Sequence, residues 1–476
     1  MHRNKTKDEE GHEVIEYKDK EGRTLLKRVQ AVESPAQVDN ATYASTYYVY
    51  DAYDNLVCVL QPEGTKNLAT YFAANAAGKE TFLNTWAFRY RYDSRKRMTM
   101  KQVPGAQPVY LVYDKRDRLV LTQDGNQRAT HEWTFTKYDV LNRPVMTGLY
   151  AHDSARTQKQ MSDLISTTAY AEAFDVAQPH GYTTNTVFPT TNLTVHTVTF
   201  YDNYEFSTLA GSEYNFVNNH LSGQQATNFT RVRGQVTGTK VNVLGTTDYL
   251  WSASYYDDKY RPIQLVAQHH KGGTVRTTNR YSFVRLEETK TTTTTAAATT
   301  HVKRWMKYDH AGRPIETWHT LNSQDSVLLV KNEYDELGQL IDKKLHSANG
   351  TTFAQSVDYR YNIRGWLTSI NDAALTTQSG DPKDYFGMNL AYNEVFSGIN
   401  NTAQFNGNIT AVRRSENLGH SLVEERGYKL GYDAMSRLTA ATHQEKMTSW
   451  SSSNSYHEDD RTEVLQGNFL TMSSKG

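Results

Sequence analysis

Tyr308-Asp309-His310-Ala311-Gly312-Arg313-Pro314 reads as the end of one strand, a tight turn and the start of the next. Asp at the first turn position bonds its own downstream backbone, and Gly at the fourth accepts the left-handed conformation. That is the preference of a type I β-turn. The same frame occurs nine times, at Tyr50-Asp51, Tyr92-Asp93, Tyr113-Asp114, Tyr138-Asp139, Tyr256-Asp257, Tyr308-Asp309, Tyr334-Asp335, Tyr361-Asn362 and Tyr432-Asp433. Five residues after each Asp or Asn stand Leu56, Met98, Leu119, Pro144, Pro262, Pro314, Leu340, Leu367 and Leu438. Arg precedes that residue in six copies: Arg97, Arg118, Arg143, Arg261, Arg313 and Arg437. Stacked repeats bury surface that one copy cannot bury alone, so the repeat decides the fold.

The fourth turn position holds Gly312, Gly338, Gly365, Asn142, Asp54 or Asp117, the residue types that best tolerate positive φ. Lys96, Tyr260 and Ser436 depart from this, which predicts looser or differently typed turns there. The flanks alternate: Phe88, Tyr90 and Tyr92 lead into one turn, and Tyr428, Leu430 and Tyr432 into another. Period two with aromatic residues is strand, so each unit is a β-hairpin. Successive turns 21 (Asp93 to Asp114) to 26 residues (Asp309 to Asp335) apart leave room for two strands and a turn at each end.

The chain of 476 residues is only 38% hydrophobic, with 32 Tyr against 7 Trp. Its mean hydropathy is −0.70. Few aliphatic residues and many tyrosines predict a thin, extended sheet with partly wet faces, held by aromatic cross-strand pairs. The 52 basic and 52 acidic residues cancel, which leaves no electrostatic footprint for nucleic acid. Cys58 stands alone, a small buried residue in the strand after the first turn, and excludes an intramolecular disulfide or a cysteine-rich metal site. No apolar stretch approaches membrane-spanning length. The charged start, Met1 to Glu10, lacks a secretion signal, which predicts either an internal chain or a piece of a longer secreted protein.

The pattern divides the chain into a flank with a hairpin at 1–44, repeats at 45–148, an insertion at 149–250, repeats at 251–445 and a polar tail at 446–476. Glu16 to Arg23 is hairpin-like with a charged turn. In the insertion, Asp153 is placed to cap a helix whose Met161, Leu164 and Ile165 share a face, and Tyr201-Asp202 lacks the downstream Arg. Thr291 to Thr295 with Ala296-Ala297-Ala298 reads as a long exposed turn. Residues 371–384, with Gly380-Asp381-Pro382, read as an irregular insert, and Asn406-Gly407 is a hairpin-turn signal. The serines from 451 to 455 lead into a tail expected to be disordered.

The unit Tyr-Asp-x-x-Gly-Arg-Leu/Pro resembles the YD repeat of bacterial Rhs proteins, of insecticidal toxin-complex subunits and of teneurins, over residues 10–445. Tyr361 to Asn371, Phe386 to Asn393, Phe405 to Ile409 and Gly431 to Leu438 follow in the order met near the core of Rhs proteins. The resemblance implies a mostly β, solenoid-like ribbon of antiparallel hairpins that spirals into a shell. Such a shell encloses a C-terminal polypeptide cargo or serves as a secreted or cell-surface scaffold. The plug by which such proteins cleave themselves has no match after Leu438, and Asp381-Pro382 lacks the surrounding glycines, so a shell portion is implied. The partners implied are the remaining shell or its cargo.

Turn chemistry already accounts for the repeated aspartates, so a glycosidase pair of carboxylates is not needed to explain them. Each Arg is expected to pair with a neighbouring repeat's Asp or to stack on a Tyr. His269-His270 would point to opposite faces of a strand and make a poor metal site. No phosphate loop, nucleophile elbow or metalloprotease motif occurs, and no cofactor is implied. Trp251, Trp305, Trp318 and Trp366 suggest the alternative, an adhesin-like surface for glycans or cell-surface proteins.

Overall fold

A computed structural model describes residues 2–8, 11–73, 78–165, 169–375, 384–417, 424–446 and 450–452. The chain is mostly β, 47% strand and 9% helix. In the longer sheet 21 strands run from His2–Lys7 to Leu340–Ser347, each antiparallel to the next in sequence. A seven-stranded sheet from Tyr359–Tyr361 to Trp450–Ser452 continues the meander. Bridges from Asp342 to Asp358 and from Leu345 to Gln355 join the two. The sheet is not closed into a barrel and is consistent with a spiralling wall.

At each Tyr-Asp turn the pairing slips by one residue. Lys307 opposes Glu316, yet Tyr308 opposes Pro314. A type I turn followed by a left-handed residue and a bulge produces this step and strengthens the local twist. Proline is accepted at 144, 262 and 314 because each begins a strand.

The two faces differ. Val112, Leu121, Phe135 and Gly148 oppose one another across four strands on the face that is covered. Met161, Tyr182, Phe206 and Tyr214, from segments outside the strands, complete a core with Trp133, Phe200 and Val266. Here the expected thin sheet is a true two-layer structure. A second pad, helices Pro62–Ala73 and Lys79–Trp86, buries Phe82 against Leu60 and Ala87. On the other face hydroxyls pair across strands: Thr147 with Thr197 (2.6 Å), Thr239 with Ser252 (2.6 Å) and Thr277 with Thr291 (3.0 Å).

Several local expectations fail where distant partners decide. The ladder runs unbroken through 149–250, because Leu193–Asp202 and Val232–Asn242 pair with their neighbours; only the connections lie on the sheet. The helix Gln158–Leu164 is capped by Thr157 and Gln160, each side chain bonding the other's backbone N–H, and not by Asp153. Its Met161 is buried but Leu164 is exposed. Thr291 to Thr294 belong to the strand Leu286–Thr294, as β-branched side chains favour, and the turn begins only at Thr295. Asn406-Gly407 forms no hairpin: strands Phe386–Ala391 and Ala411–Glu416 pair across a long connection, and Trp366 packs in the space Gly407 leaves. Ser451 and Ser452 lie in a strand paired with Gln444–Lys446. Gly380-Asp381-Pro382 and the tail from 453 lie outside the described residues.

Strands far apart in sequence meet. A cavity of about 310 Å³ is lined by Thr6, Asp8, His12 and Val14 on one side and by Ala434, Met435 and Ser436 on the other. The ribbon has curled far enough to set a late turn against its first hairpin.

Candidate functional site

The repeated turn is the site the sequence singles out, and its geometry is uniform. In all nine copies the Asp or Asn N–H donates to the carbonyl four residues on, at 2.9–3.0 Å. The N–H of the third following residue returns to the Asp or Asn carbonyl. That residue has positive φ in every copy, including Lys96 (61°), Tyr260 (60°) and Ser436 (56°). These three turns are therefore not looser; the surrounding hairpin holds non-glycine residues in the left-handed region.

The Asp side chain secures the turn. Oδ1 of Asp139 accepts from the N–H of Leu141 and of Arg143, each at 2.9 Å, and Oδ2 accepts from Arg143 Nε at 2.7 Å. Arg97, Arg118, Arg261, Arg313 and Arg437 bond Asp93, Asp114, Asp257, Asp309 and Asp433 in the same way. Each Arg thus holds the Asp of its own hairpin, and Arg97 and Arg143 also reach an Asp of the next, Asp117 at 2.9 Å and Asp202 at 2.8 Å. Burial opposes ionisation of Asp93, Asp309 and Asp433, but the guanidinium and backbone N–H groups outweigh it and hold all three below the usual range.

The far end of the guanidinium reaches the next hairpin. Arg97 lies 5.1 Å from the Tyr113 ring centre, Arg118 4.5 Å from Tyr138, Arg143 4.3 Å from Tyr201, Arg261 4.6 Å from Tyr281 and Arg313 4.6 Å from Tyr334. The tyrosine then donates its hydroxyl backwards. Tyr92 bonds the Leu56 carbonyl (3.0 Å), Tyr138 that of Leu119 (2.7 Å), Tyr334 that of Pro314 (3.1 Å) and Tyr432 that of Ile409 (2.7 Å). Arg and Tyr together stitch one hairpin to the next: an ion pair within a unit, a cation–π contact and a hydrogen bond between units. Glycine at the turn makes room. A Cβ on Gly312 would stand 2.8 Å from Arg285, whose guanidinium lies over Tyr308.

The copies without Arg show how the parts depend on one another. Asn55 replaces the guanidinium with an amide on Asp51 (2.9 Å). Trp366 has no charge to offer, and its partner is the neutral Asn362; its ring stands 5.1 Å from Tyr392, whose hydroxyl returns to Leu367. Gln339 donates only its backbone N–H to Asp335, and its side-chain amide lies by Gly365. Tyr50 sits under Arg23 at 5.3 Å, Tyr256 bonds the Val236 carbonyl, and Tyr361 opposes Leu367 at the bulge. Gly338 stands beside Arg313.

Counting Tyr-Asp pairs missed members of the set. Asp19 to Arg23 folds as the same turn, with Gly22 left-handed and Arg23 on Asp19 at 2.6 Å, although Lys18 precedes the Asp. Asp8 with Gly11 and His269 with Gly272 close the same backbone ring. The spacing Asp-x-x-Gly would have found the first two. Tyr201, Tyr281 and Tyr392 take the stitching position without the full motif.

Other candidate chemistry is occupied by packing. His269 and His270 lie beyond the strand end with rings 4.4 Å apart, so strand alternation does not separate them. Among the described residues no group of three His, Cys, Asp or Glu is close enough to hold a metal. Lys137 and Glu172 form a buried ion pair (2.5 Å), completed by the carbonyls of Thr184 and Val187 and by the Thr183 hydroxyl. Trp251 stacks on Phe200, and Trp305 lies 6.0 Å from Trp318 across the strand pair. Cys58 is half-buried beside Leu60, and burial pushes its thiol up. No helix among the described residues is long and apolar enough to cross a membrane.

No family signature matches the chain, and no curated protein does. Solved structures do. The structure named "Crystal Structure of TcdB2-TccC3" is 12% identical with TM-score 0.50, covering 91% of this chain and 19% of its own. The Photorhabdus luminescens Tc holotoxin pore carrying the mutation TccC3-D651A is 14% identical with TM-score 0.46, covering 93% and 19%. The chain therefore spans about a fifth of the length of these neighbours. At such identity the first likeness shows the fold alone, a long antiparallel sheet of hairpins that is not closed into a barrel and is consistent with a spiralling shell.

Proposed function

We propose that this chain is a non-enzymatic wall segment of an Rhs-type shell, secreted or surface-exposed within a longer polypeptide, whose work is to enclose a polypeptide cargo. The supporting observation is the stitch: the repeated Asp, Arg and Tyr groups are spent on joining one hairpin to the next. A wall needs stiffness along the ribbon and no reactive group, and the two-layer core gives that stiffness over its middle.

The test is trypsin digestion of the whole natural polypeptide, followed by mass spectrometry. Enclosure predicts a segment that is not part of the hairpins but is held within the wall, which resists cleavage while the hairpins stay folded and is cut once Arg118→Ala loosens them. A segment cut equally fast in both would sink the enclosure reading. A second reading, a glycan-binding surface, is favoured by the half-buried Trp305–Trp318 pair. A glycan array decides it: binding lost in Trp318→Ala supports it, and no binding above background removes it.

A further inference from the structure

The covered face of the sheet has a gap between its pads, and the gap is polar. Register sets Arg91, Met100 and Tyr110 opposite one another across three strands, with Arg89 opposite Gln102 beside them. Strand alternation puts all five on the face where Ala87, two residues before Arg89, and Val112, two after Tyr110, are buried. Helix Lys79–Trp86 covers that face on one side. On the other, Arg128 lies 5.1 Å from the Tyr110 ring centre and bonds the Pro108 carbonyl at 2.6 Å. Between them is a cavity of about 440 Å³. Its floor is Met100, Gln102 and Tyr110, and Thr81, Asn84, Thr85 and Gln107 stand around it. Arg89 and Arg91 line it, and no acidic side chain does.

Other cations on this face are matched within the chain. Lys137, two residues past Phe135, holds Glu172, and Arg276, opposite Val266, donates to the carbonyls of Glu213 and Asn215. Arg89 is matched as well, by Glu80 at 2.8 Å and Asn84 at 2.9 Å. Arg91 is exposed on the cavity, and no carboxylate among the described residues lies within ion-pair reach of it. A guanidinium without a counter-charge, beside a second one, is suited to an anion, and its planar fork matches a carboxylate. The remaining lining bears on what carries that carboxylate. Amides and hydroxyls both donate and accept, as sugar hydroxyls do, whereas the methylenes of an acidic side chain would leave them unmet. We propose that this cavity binds a carboxylated sugar, with its carboxylate on Arg91 and its hydroxyls toward Asn84, Thr85 and Gln107. The volume falls in the range of small-molecule sites. The site shares no residue with the Trp305–Trp318 pair and needs no cargo, so its failure is a separate result from that of the glycan-surface or enclosure reading.

Saturation-transfer NMR titrations of the whole chain test this with three probes: D-glucuronate, D-glucose and the α-amide of N-acetylglutamate. Glucuronate should bind saturably, and glucose, which lacks the carboxylate, at least about tenfold more weakly. Arg91→Gln should weaken glucuronate by at least about tenfold and leave glucose unchanged. Gln107→Leu keeps both guanidiniums and should weaken glucuronate about threefold through the lost amide. Arg91 and Gln107 are exposed, and circular dichroism and an unfolding midpoint matching the wild type show that both variants fold. A wild type with no saturable glucuronate signal overturns the proposal. So does glucuronate binding that Arg91→Gln leaves intact, or glucose binding as tight as that of glucuronate. The acetylglutamate amide binding as tightly as glucuronate, with Gln107→Leu without effect on either, would overturn the sugar and reassign the cavity to acidic side chains of a polypeptide.

Discussion

Arg118 holds Asp114 with Nε at 2.8 Å while its guanidinium lies 4.5 Å from the ring of Tyr138, one hairpin further on. One side chain therefore closes its own turn and docks the next. The pair is well shielded, with Arg118 9% and Asp114 4% exposed at the side chain.

Replacing that Arg removes both connections and strands a carboxylate. Arg118→Ala should cost about 3 kcal/mol. Arg437→Ala breaks the same ion pair at an exposed site and should cost under about 1 kcal/mol. Arg118→Lys should fall near the Ala variant, because an ammonium cannot both fork and stack. Urea unfolding with hydrogen exchange at residues 110–150 is the measurement. Equal losses at 118 and 437 would show that the inter-hairpin contact contributes nothing.

The tyrosine separates the two inter-hairpin terms. Tyr138→Phe keeps the ring under Arg118 and loses only the bond to Leu119, so about 1 kcal/mol should go. Tyr138→Leu should lose clearly more. If the two variants unfold at the same denaturant concentration, the ring adds nothing beyond its hydroxyl.

Turn strain is testable in both directions. Ser436 is held at φ 56°, so Ser436→Gly should stabilise by up to about 1 kcal/mol. Gly312→Ala should destabilise by about 1–2 kcal/mol, from φ 90° and from contact with Arg285. A shift of the same sign in both would contradict the turn geometry.

Acid should loosen one pad. His220 rests between the hydroxyls of Thr278 and Thr292, and burial, then Lys290, Arg276 and His301, push its pKa down to about 4. The unfolded ring takes its proton at a higher pH than the folded one, so stability from this group is full at neutral pH. It is lost as pH falls from about 6.5 toward 4. His180, pushed to about 4 by burial and by Lys240, acts in the same sense. His220→Gln should flatten part of the pH profile of thermal unfolding, by an amount on the order of 2 kcal/mol after allowance for partial exposure. An unchanged profile would show that the ring is as free in the folded chain as in the unfolded one.

Breaking the buried pair gives the largest single loss. Lys137→Met leaves Glu172 without its cation in a dry site and should cost about 3–5 kcal/mol. Adding Glu172→Gln should recover a good part of this. No recovery, by denaturant unfolding, would mean that Lys137 acts through its bonds to Thr184 and Val187 instead.

The hairpins were legible because a turn is decided within about five residues: the Asp side chain, the left-handed fourth residue and the following Arg are neighbours along the backbone. The hairpin at Glu16 to Arg23 was legible too, though Lys18 before Asp19 hid that its turn is a member of the repeat set, and legibility failed where hairpin geometry imposes positive φ on Lys96, Tyr260 and Ser436. The stitch was half legible. That Arg and Tyr belong together follows from the repeat; that each Arg holds its own Asp does not.

By itself the sequence determined that this protein is a series of antiparallel hairpins, and where most of them turn. Only the tertiary structure decided that 149–250 continues the ladder, that Met161 and Phe206 help make one stretch two layers thick, and that Ala434 is buried while Ile363 is bare. The reason is range. Turn bonds are satisfied by the nearest few residues, whereas apolar surface is covered by whatever the curled ribbon brings to it.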